Sequence, residues 1–296
     1  MPAMKVCDYG FKASVRSTTT YKVPKSFVKL AVDNVKREVS YARYGFVKTQ
    51  QRPLWASSKD MRQKKVLRQQ IANLKLDNEL VWKRESAREP VDASPIIYTI
   101  YYALCFFLDV VFRNRPIQRF WFLETVARMP YFSYVAVLHL YETLGWWSID
   151  SELRTIHNDE DANEGNHLLI MESLGGNALW ADRFLARHSA LLYYMVLLVL
   201  FLFSPKTAYN SSELLEMHAV DTYSEFLHEN EDLLKTMPPP LAALEYYNTK
   251  QKHTLDPQSR YSNPVIIRTL YDVFDAICTD EQVHAESMRF LRKSTT

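Results

Sequence analysis

From about residue 58 onward, apolar positions recur at helical rather than strand spacing, and the periodic runs are separated by proline and glycine. Residues 58–85 are polar and charged with a sparse apolar stripe, which predicts one helix. Pro90 and Pro95 break that pattern and set a boundary between a basic arm, residues 1–90, and the domain formed by residues 91–296. Ile96–Phe112 is a 17-residue, almost wholly apolar run with Asp109 inside it and Arg113, Arg115 and Arg119 after it. It reaches only the lower edge of the length that crosses a bilayer. The pattern predicts a helix lying in the membrane interface, anchored by tyrosines and arginines, with a buried core helix as the rival. Helices follow over about 117–145, which Pro130 is expected to kink or cut, and over about 155–174, closed by Gly175-Gly176. Trp180–Phe203 ends in 14 consecutive apolar residues, with Arg183, Arg187 and His188 near its start. This predicts a long, largely buried helix with a membrane-facing side, a true span being the alternative. Further helices are expected over about 207–231 and Leu241–Asn248, then a polar loop at 249–263 and a last helix opened by Pro264. The chain is predicted to be all-α.

Composition narrows the class. The 296 residues are 47% hydrophobic, enough for a sizeable core, and only six are glycine, which disfavours a sheet-rich or loop-rich fold. The net charge of +2 conceals a polarity. Residues 1–90 hold 20 Lys/Arg against 8 Asp/Glu, a balance of +12, and residues 91–296 hold 16 against 26, a balance of −10. The basic arm suits targeting or an anionic membrane surface, and its Ser/Thr/Lys-rich first 25 residues resemble a weak organelle transit sequence; a disordered basic tail is the alternative. Nucleic acid is not expected as a partner, because no reader motif accompanies the charge. Cys7, Cys105 and Cys278 are isolated in sequence and suggest neither a zinc site nor a disulfide framework.

Candidate chemistry sits on four of the predicted helices: Glu124; Glu164 with His167; Glu216; and Glu281 with His284. Residues three apart share a helix face, so each Glu-x-x-His can offer an oxygen and a nitrogen to one metal ion. With 18 Glu and 8 His in the chain, chance gives roughly 0.5 such pairs, and there are three. The third, Glu225 with His228, lies nine residues beyond Glu216, on the opposite face, and is read as a solvated or capping pair. His139 with Glu142 starts about four turns beyond Glu124 and is read as a packing or subunit contact. One Glu from each of two helices and Glu-x-x-His from each of two others is the ligand set of ferritin-like di-iron carboxylate bundles. A carboxylate at Glu124, inside FWFLETVA, is costly to bury unless a metal or the neighbouring Arg128 offsets it. Tyr223 is seven residues, nearly two turns, after Glu216. It suits either an electron and proton source or a buried phenol bonded to a carboxylate. Asp280 is placed to bond a ligating histidine, and Gly165 is a helix-interior misfit that crowding would explain.

Together FLETVARMPYF, YETLGWW, NEGNHLLIMESLGGN, LEMHAVDTY, YYN, NPVIIRTLYDVF and DEQVHAESM resemble the alternative oxidase family, in its plastid terminal oxidase branch, over about residues 95–292. The mitochondrial branch resembles the chain less, since the 249–263 loop, GWW and LLIMESLGG are plastid-type. The resemblance implies an all-α, ferritin-like four-helix bundle with additional membrane-lying amphipathic helices, monotopic and dimeric on a thylakoid membrane. It implies two iron ions, with plastoquinol and O2 as substrates and water as product. The matching positions make Glu124, Glu164, His167, Glu216, Glu281 and His284 the metal ligands and Tyr223 catalytic. Arg119, Leu123 and Thr222 line the quinol pocket. His218 stands where mitochondrial members commonly carry a Glu against the quinone head, which puts that contact in question here. Without a polytopic span the reaction is not expected to pump protons. A mitochondrial inner-membrane ubiquinol oxidase and a membrane-bound di-iron quinone hydroxylase are the alternatives. A ferritin-like iron-binding protein and a helical scaffold with accidental ligand spacing are more distant ones.

Overall fold

The computed structural model describes residues 25–43, 61–147, 151–249 and 266–295, and every regular element among them is an α-helix. The stretch up to Pro24 and most of the polar loop, residues 250–263, lie outside the described residues. Helix α1 (Phe27–Arg43) belongs to a unit of its own, Met1–Gly45. It carries an exposed stripe of Val28, Val32, Val35 and Val39, an element the sequence reading does not anticipate.

The second unit, Phe46–Thr296, contains the remaining helices: α2 (Met61–Ala72), α3 (Asn78–Ala87), α4 (Pro95–Val111), α5 (Pro116–Thr143), α6 (Ser151–Ser173), α7 (Trp180–Phe203), α8 (Pro205–Thr236), α9 (Leu241–Thr249) and α10 (Leu270–Ser294). Local chemistry sets their ends. The single helix expected over 58–85 is two, because the Asp77 carboxylate accepts the Glu79 N–H at 2.9 Å and caps α3. The break is pinned from α8, where Asn230 accepts the Lys75 N–H at 3.0 Å and returns its own amide to the Lys75 carbonyl at 2.8 Å. Pro130 does not end its helix; α5 runs through it. Helix α6 stops where Gly175 turns to φ +91°, and a Cβ on Gly176 would stand 2.3 Å from Cβ of Trp121. Helix α10 starts later than Pro264, at a capping box in which Thr269 and Asp272 bond each other's backbone N–H.

Helix α8 packs on α10, and α5 packs on both α6 and α7; α9 leans on α6, while α3 and α4 lie on α8. Large side chains close the gap between the two central pairs. Phe120 stacks on Tyr223 at 4.2 Å, and Phe226 and Phe274 complete that cluster. Tyr134 reaches from α5 to Ser212 on α8 at 2.7 Å.

Helix α4 buries only a narrow stripe, Tyr101, Cys105 and Leu108, and turns Ile96, Ile100, Phe106 and Val110 outward. Its core-helix rival is therefore excluded. Helix α7 is not largely buried, contrary to expectation: only 22% of its most apolar 18-residue window is covered. Its one packed stripe includes Ala186, Ala190 and Leu197, since α5 shields a single side, and Leu191, Leu192, Met195 and Val199 face outward. By length and composition α7 could cross a membrane.

Candidate metal centre

The four central helices bring all six predicted ligands together. Glu124, Glu164, His167 and Glu281 form one group and Glu164, Glu216, Glu281 and His284 another, the ligand atoms of each lying within 4.8 Å of one another. Glu164 and Glu281 belong to both groups. The arrangement thus has two shared carboxylates flanked on one side by Glu124 and His167 and on the other by Glu216 and His284. This follows from helical spacing: a Glu-x-x-His helix places its Glu toward the middle and its His one turn along. Nδ1 of His284 is 2.8 Å from Glu164, and Nδ1 of His167 is 3.3 Å from Glu281 and 3.6 Å from Glu124.

Surrounding groups hold these side chains in place. The Asp280 carboxylate receives His167 Nε2 at 3.0 Å, Asn163 Nδ2 at 3.1 Å and the Tyr247 hydroxyl at 3.1 Å. The expected Asp280 bond to a histidine therefore exists, and it reaches across to α6 rather than to His284 on its own helix. With Nε2 of His167 bonded to Asp280, Nδ1 is the nitrogen that faces Glu124 and Glu281. The Tyr223 hydroxyl donates to Glu124 and the Tyr131 hydroxyl donates to Glu216, the latter at 2.7 Å.

Charge is what makes this cluster demand a partner. Burial, then repulsion from Glu281, Glu124 and Glu216, pushes the Glu164 carboxyl well above its ordinary range. Burial and Glu281 do the same to Glu216, and burial raises Glu281 despite the neighbouring His167 ring. Burial also acts on Glu124, but the neighbouring His167 ring and the Tyr223 hydroxyl outweigh it and hold that carboxyl low. His167 is raised because Asp280, Glu124 and Glu281 outweigh the burial that opposes its charge. Both oxygens of Glu164, one each of Glu124 and Glu281, and Nδ1 of both histidines are buried without a hydrogen-bond partner. Cations at the two groups would satisfy these atoms and neutralise the carboxylates together, and a mixed oxygen and imidazole set suits iron. The residues present fit a pair of iron ions.

The competing readings resolve. Arg128 does not pair with Glu124; it holds Asp161 at 3.3 Å, and a Cβ on Gly165 would touch its guanidinium at 3.4 Å. Glu225 is off the metal face as expected, yet it is not solvated. It is buried and paired with Arg84 of α3, because α3 packs over that face of α8, while His228 is exposed. His139 is exposed and Glu142 pairs with Arg154 at 2.6 Å.

The three residues matched to a quinol pocket lie near one another. Arg119, 1% exposed, donates to Asp109 at 2.6 Å and Asn78 at 3.0 Å and meets Nε2 of His218 at 3.2 Å. Thr222 donates to the His218 carbonyl at 2.7 Å, and Leu123, four residues after Arg119, is partly buried in the main core. Sequence reasoning missed three partners here, Asn78, Trp82 and Glu85. Trp82 donates to Asp109 at 2.9 Å, and Glu85 lies 3.1 Å from Nδ1 of His218 while accepting the Tyr101 hydroxyl at 2.6 Å. Nothing in the sequence signals them, since they come from residues read as arm. Tyr131 was also missed, although it stands seven residues after Glu124, the same interval that singled out Tyr223.

Comparison with known proteins agrees with this geometry. The family model for alternative oxidase matches residues 81–293. The chain is 45% identical over 186 residues to ubiquinol oxidase 4, chloroplastic/chromoplastic, of Arabidopsis thaliana, covering 62% of this chain and 53% of that protein. It is 31% identical over 153 residues to a mitochondrial ubiquinol oxidase of Mangifera indica, covering 50% of this chain and 46% of that protein. With mitochondrial ubiquinol oxidase 1a of Oryza sativa subsp. japonica it shares 30% over 166 residues, 54% of this chain and 48% of that protein. The chain spans about half the length of the curated relatives it matches. With two overlapping carboxylate and histidine groups on four helices and a family match over residues 81–293, the chain belongs to the alternative oxidase family.

Proposed function

We propose that this chain is a non-haem di-iron quinol oxidase that takes electrons from plastoquinol and reduces O2 to water at a plastid thylakoid membrane, without pumping protons. The observation that carries the reading is the pair of Glu/His groups sharing Glu164 and Glu281, in a chain resembling a chloroplastic/chromoplastic ubiquinol oxidase. Two iron ions held by Glu124, Glu164, His167, Glu216, Glu281 and His284 would supply the one-electron steps between quinol and O2. The remaining work falls to the protein. Tyr223 donates its hydroxyl hydrogen bond to Glu124, burial holds the phenol protonated, and stacking on Phe120 fixes the ring. An electron leaving that phenol would send its proton to the Glu124 carboxylate, which suits Tyr223 as a local source of both.

Arg119, Leu123 and Thr222 are proposed to line the quinol pocket. Arginine offers only N–H donors, so Nε2 of His218 must accept from Arg119, and the Nδ1–H then faces Glu85. His218 is thereby held in one orientation, as a fixed edge for a quinone head. The outward apolar faces of α4 and α7 support a monotopic seat in the membrane, and the +12 balance of residues 1–90 supports a basic targeting arm. A homodimer is proposed on the family resemblance alone.

Oxygen uptake by purified, iron-loaded protein given plastoquinol or ubiquinol analogues, with cyanide present, tests the reading. Cyanide-resistant uptake, faster with plastoquinol, and labelled oxygen found only in water are expected. Label in the quinone identifies a hydroxylase instead, and an iron-loaded protein that consumes no oxygen with any quinol contradicts the proposal.

A further inference from the structure

Seven residues separate His157 from Glu164 on α6, Tyr209 from Glu216 on α8, and Tyr131 from Glu124 on α5. That interval returns to the same helix face about 10.5 Å along the axis. A buried polar layer of His157, Glu160, Tyr131, Tyr134 and Tyr209 therefore lies between the metal groups and one end of the bundle. Beyond it, Leu138, Trp146, Leu153, Phe201 and Tyr209 line a half-open cavity of about 530 Å³.

Inside the layer, Nε2 of His157 is 3.0 Å from the Tyr209 hydroxyl, and its Nδ1 is 3.4 Å from Glu160. Both Glu160 oxygens and Nδ1 of His157 are buried without a hydrogen-bond partner. Leaving a carboxylate and an imidazole in that state weakens a fold, and packing alone gives no reason for either. Their facing atoms, 3.4 Å apart, are placed to pass a proton from ring to carboxylate. Tyr134 bonds Ser212 and the Ala208 carbonyl, and the Tyr131 ring lies 6.2 Å from the His157 ring and 5.7 Å from the His284 ring of α10, with its hydroxyl on Glu216. Tyr131 thus spans from the polar layer to the metal groups.

We infer that Tyr209, His157 and Glu160 form a proton-delivery line from the cavity at the bundle end to the metal groups, separate from the Arg119 and His218 side. The inference rests on the oxidase reading above. Reducing one O2 to two waters takes four electrons and four protons. Two quinols give the four electrons and release four protons at their own pocket. Four protons enter by this line, so the balance of two quinols and one O2 to two quinones and two waters is kept. In each transfer the Tyr209 hydroxyl passes its proton to Nε2 of His157 and takes another from cavity water. Nδ1 of His157 passes one to Glu160, and Glu160 passes it on past Tyr131 to the oxygen being reduced, so that the four protons leave in two waters.

The test uses the full chain loaded anaerobically with Fe(II) and mixed with O2 in the absence of quinol. Glu160→Gln is expected to bind as much iron as the unaltered protein but to oxidise at least tenfold more slowly. Its solvent deuterium isotope effect should be larger, and Glu160→Asp should recover part of the rate. Among the carboxyl infrared bands that change during Fe(II) oxidation, one that shifts in D2O should be missing from Glu160→Gln. Tyr209→Phe, which removes one hydroxyl, is expected to slow oxidation with full iron and carries the test where Glu160→Gln does not fold. Full iron with an unchanged rate and isotope effect in these variants overturns the inference; iron loss in Glu160→Gln does so too, by making Glu160 a support of the centre. Because no quinol is used, a failure to oxidise quinols, which sinks the oxidase reading, is read separately.

Discussion

Asp280→Asn should weaken one of the two metal positions and spare the other. The Asp280 carboxylate takes three hydrogen bonds, and the one from His167 Nε2 fixes which ring nitrogen faces Glu124 and Glu281. Asparagine keeps the volume but removes the charge, and its amide cannot accept all three donors. Loss of such a partner costs about 10–100-fold in metal affinity, equivalent to about 1.4–2.8 kcal/mol. The loss should fall on the group containing His167. His284, whose Nδ1 stands 2.8 Å from Glu164, belongs to the other group. Anaerobic titration with Fe(II) or Co(II) against a chromophoric chelator measures both equivalents. One equivalent should weaken by that factor while the other stays within about threefold. Equal weakening of both, or of neither, would show that Asp280 does not act through His167.

Further outcomes follow from packing and charge. Gly176→Ala should lower the melting temperature without changing metal stoichiometry, because its Cβ would meet Cβ of Trp121 at 2.3 Å and the Ile117 carbonyl at 2.9 Å; overpacking of this kind costs about 1–3 kcal/mol, read by denaturant or thermal melts. Metal-free protein should melt at a lower temperature near pH 8 than near about pH 5.5. Glu164, Glu216, Glu281 and His167 are all raised in the folded state, so folding takes up protons and stability falls as pH rises; within the metal site only Glu124, lowered, opposes this, and metal loading should flatten the slope. Phe106→Lys with Leu192→Lys, both on outward faces, should reduce co-flotation with thylakoid-lipid vesicles severalfold while leaving iron content intact, and unchanged flotation would argue against that seat.

Helices with long apolar periods were legible in the sequence. Trp180–Phe203 and its neighbours fall where the spacing puts them, and the six ligands declare themselves through Glu-x-x-His intervals. What spacing could not show was set by contacts between distant segments. Residues 58–85 read as a single arm helix because their split depends on Asn230 and Glu229 of α8, more than 150 residues away in sequence. Glu225 looked solvated because its partner, Arg84, comes from that same stretch. The burial of α7 was overestimated for a related reason: apolar length alone does not distinguish a helix wrapped by neighbours from one covered on one side. Tyr131, His157 and Glu160 lay on already recognised faces at intervals of seven and four from the ligands, so extending the same periodicity would have found them.

Metal content per chain tests the central claim most directly, measured after anaerobic Fe(II) loading and gel filtration of the unaltered protein, Glu164→Ala and Glu225→Ala. Glu164 belongs to both groups and Glu225 to neither. Two irons per chain are expected in the unaltered protein and in Glu225→Ala, with both lost in Glu164→Ala. Iron retained by Glu164→Ala and lost from Glu225→Ala would contradict the account.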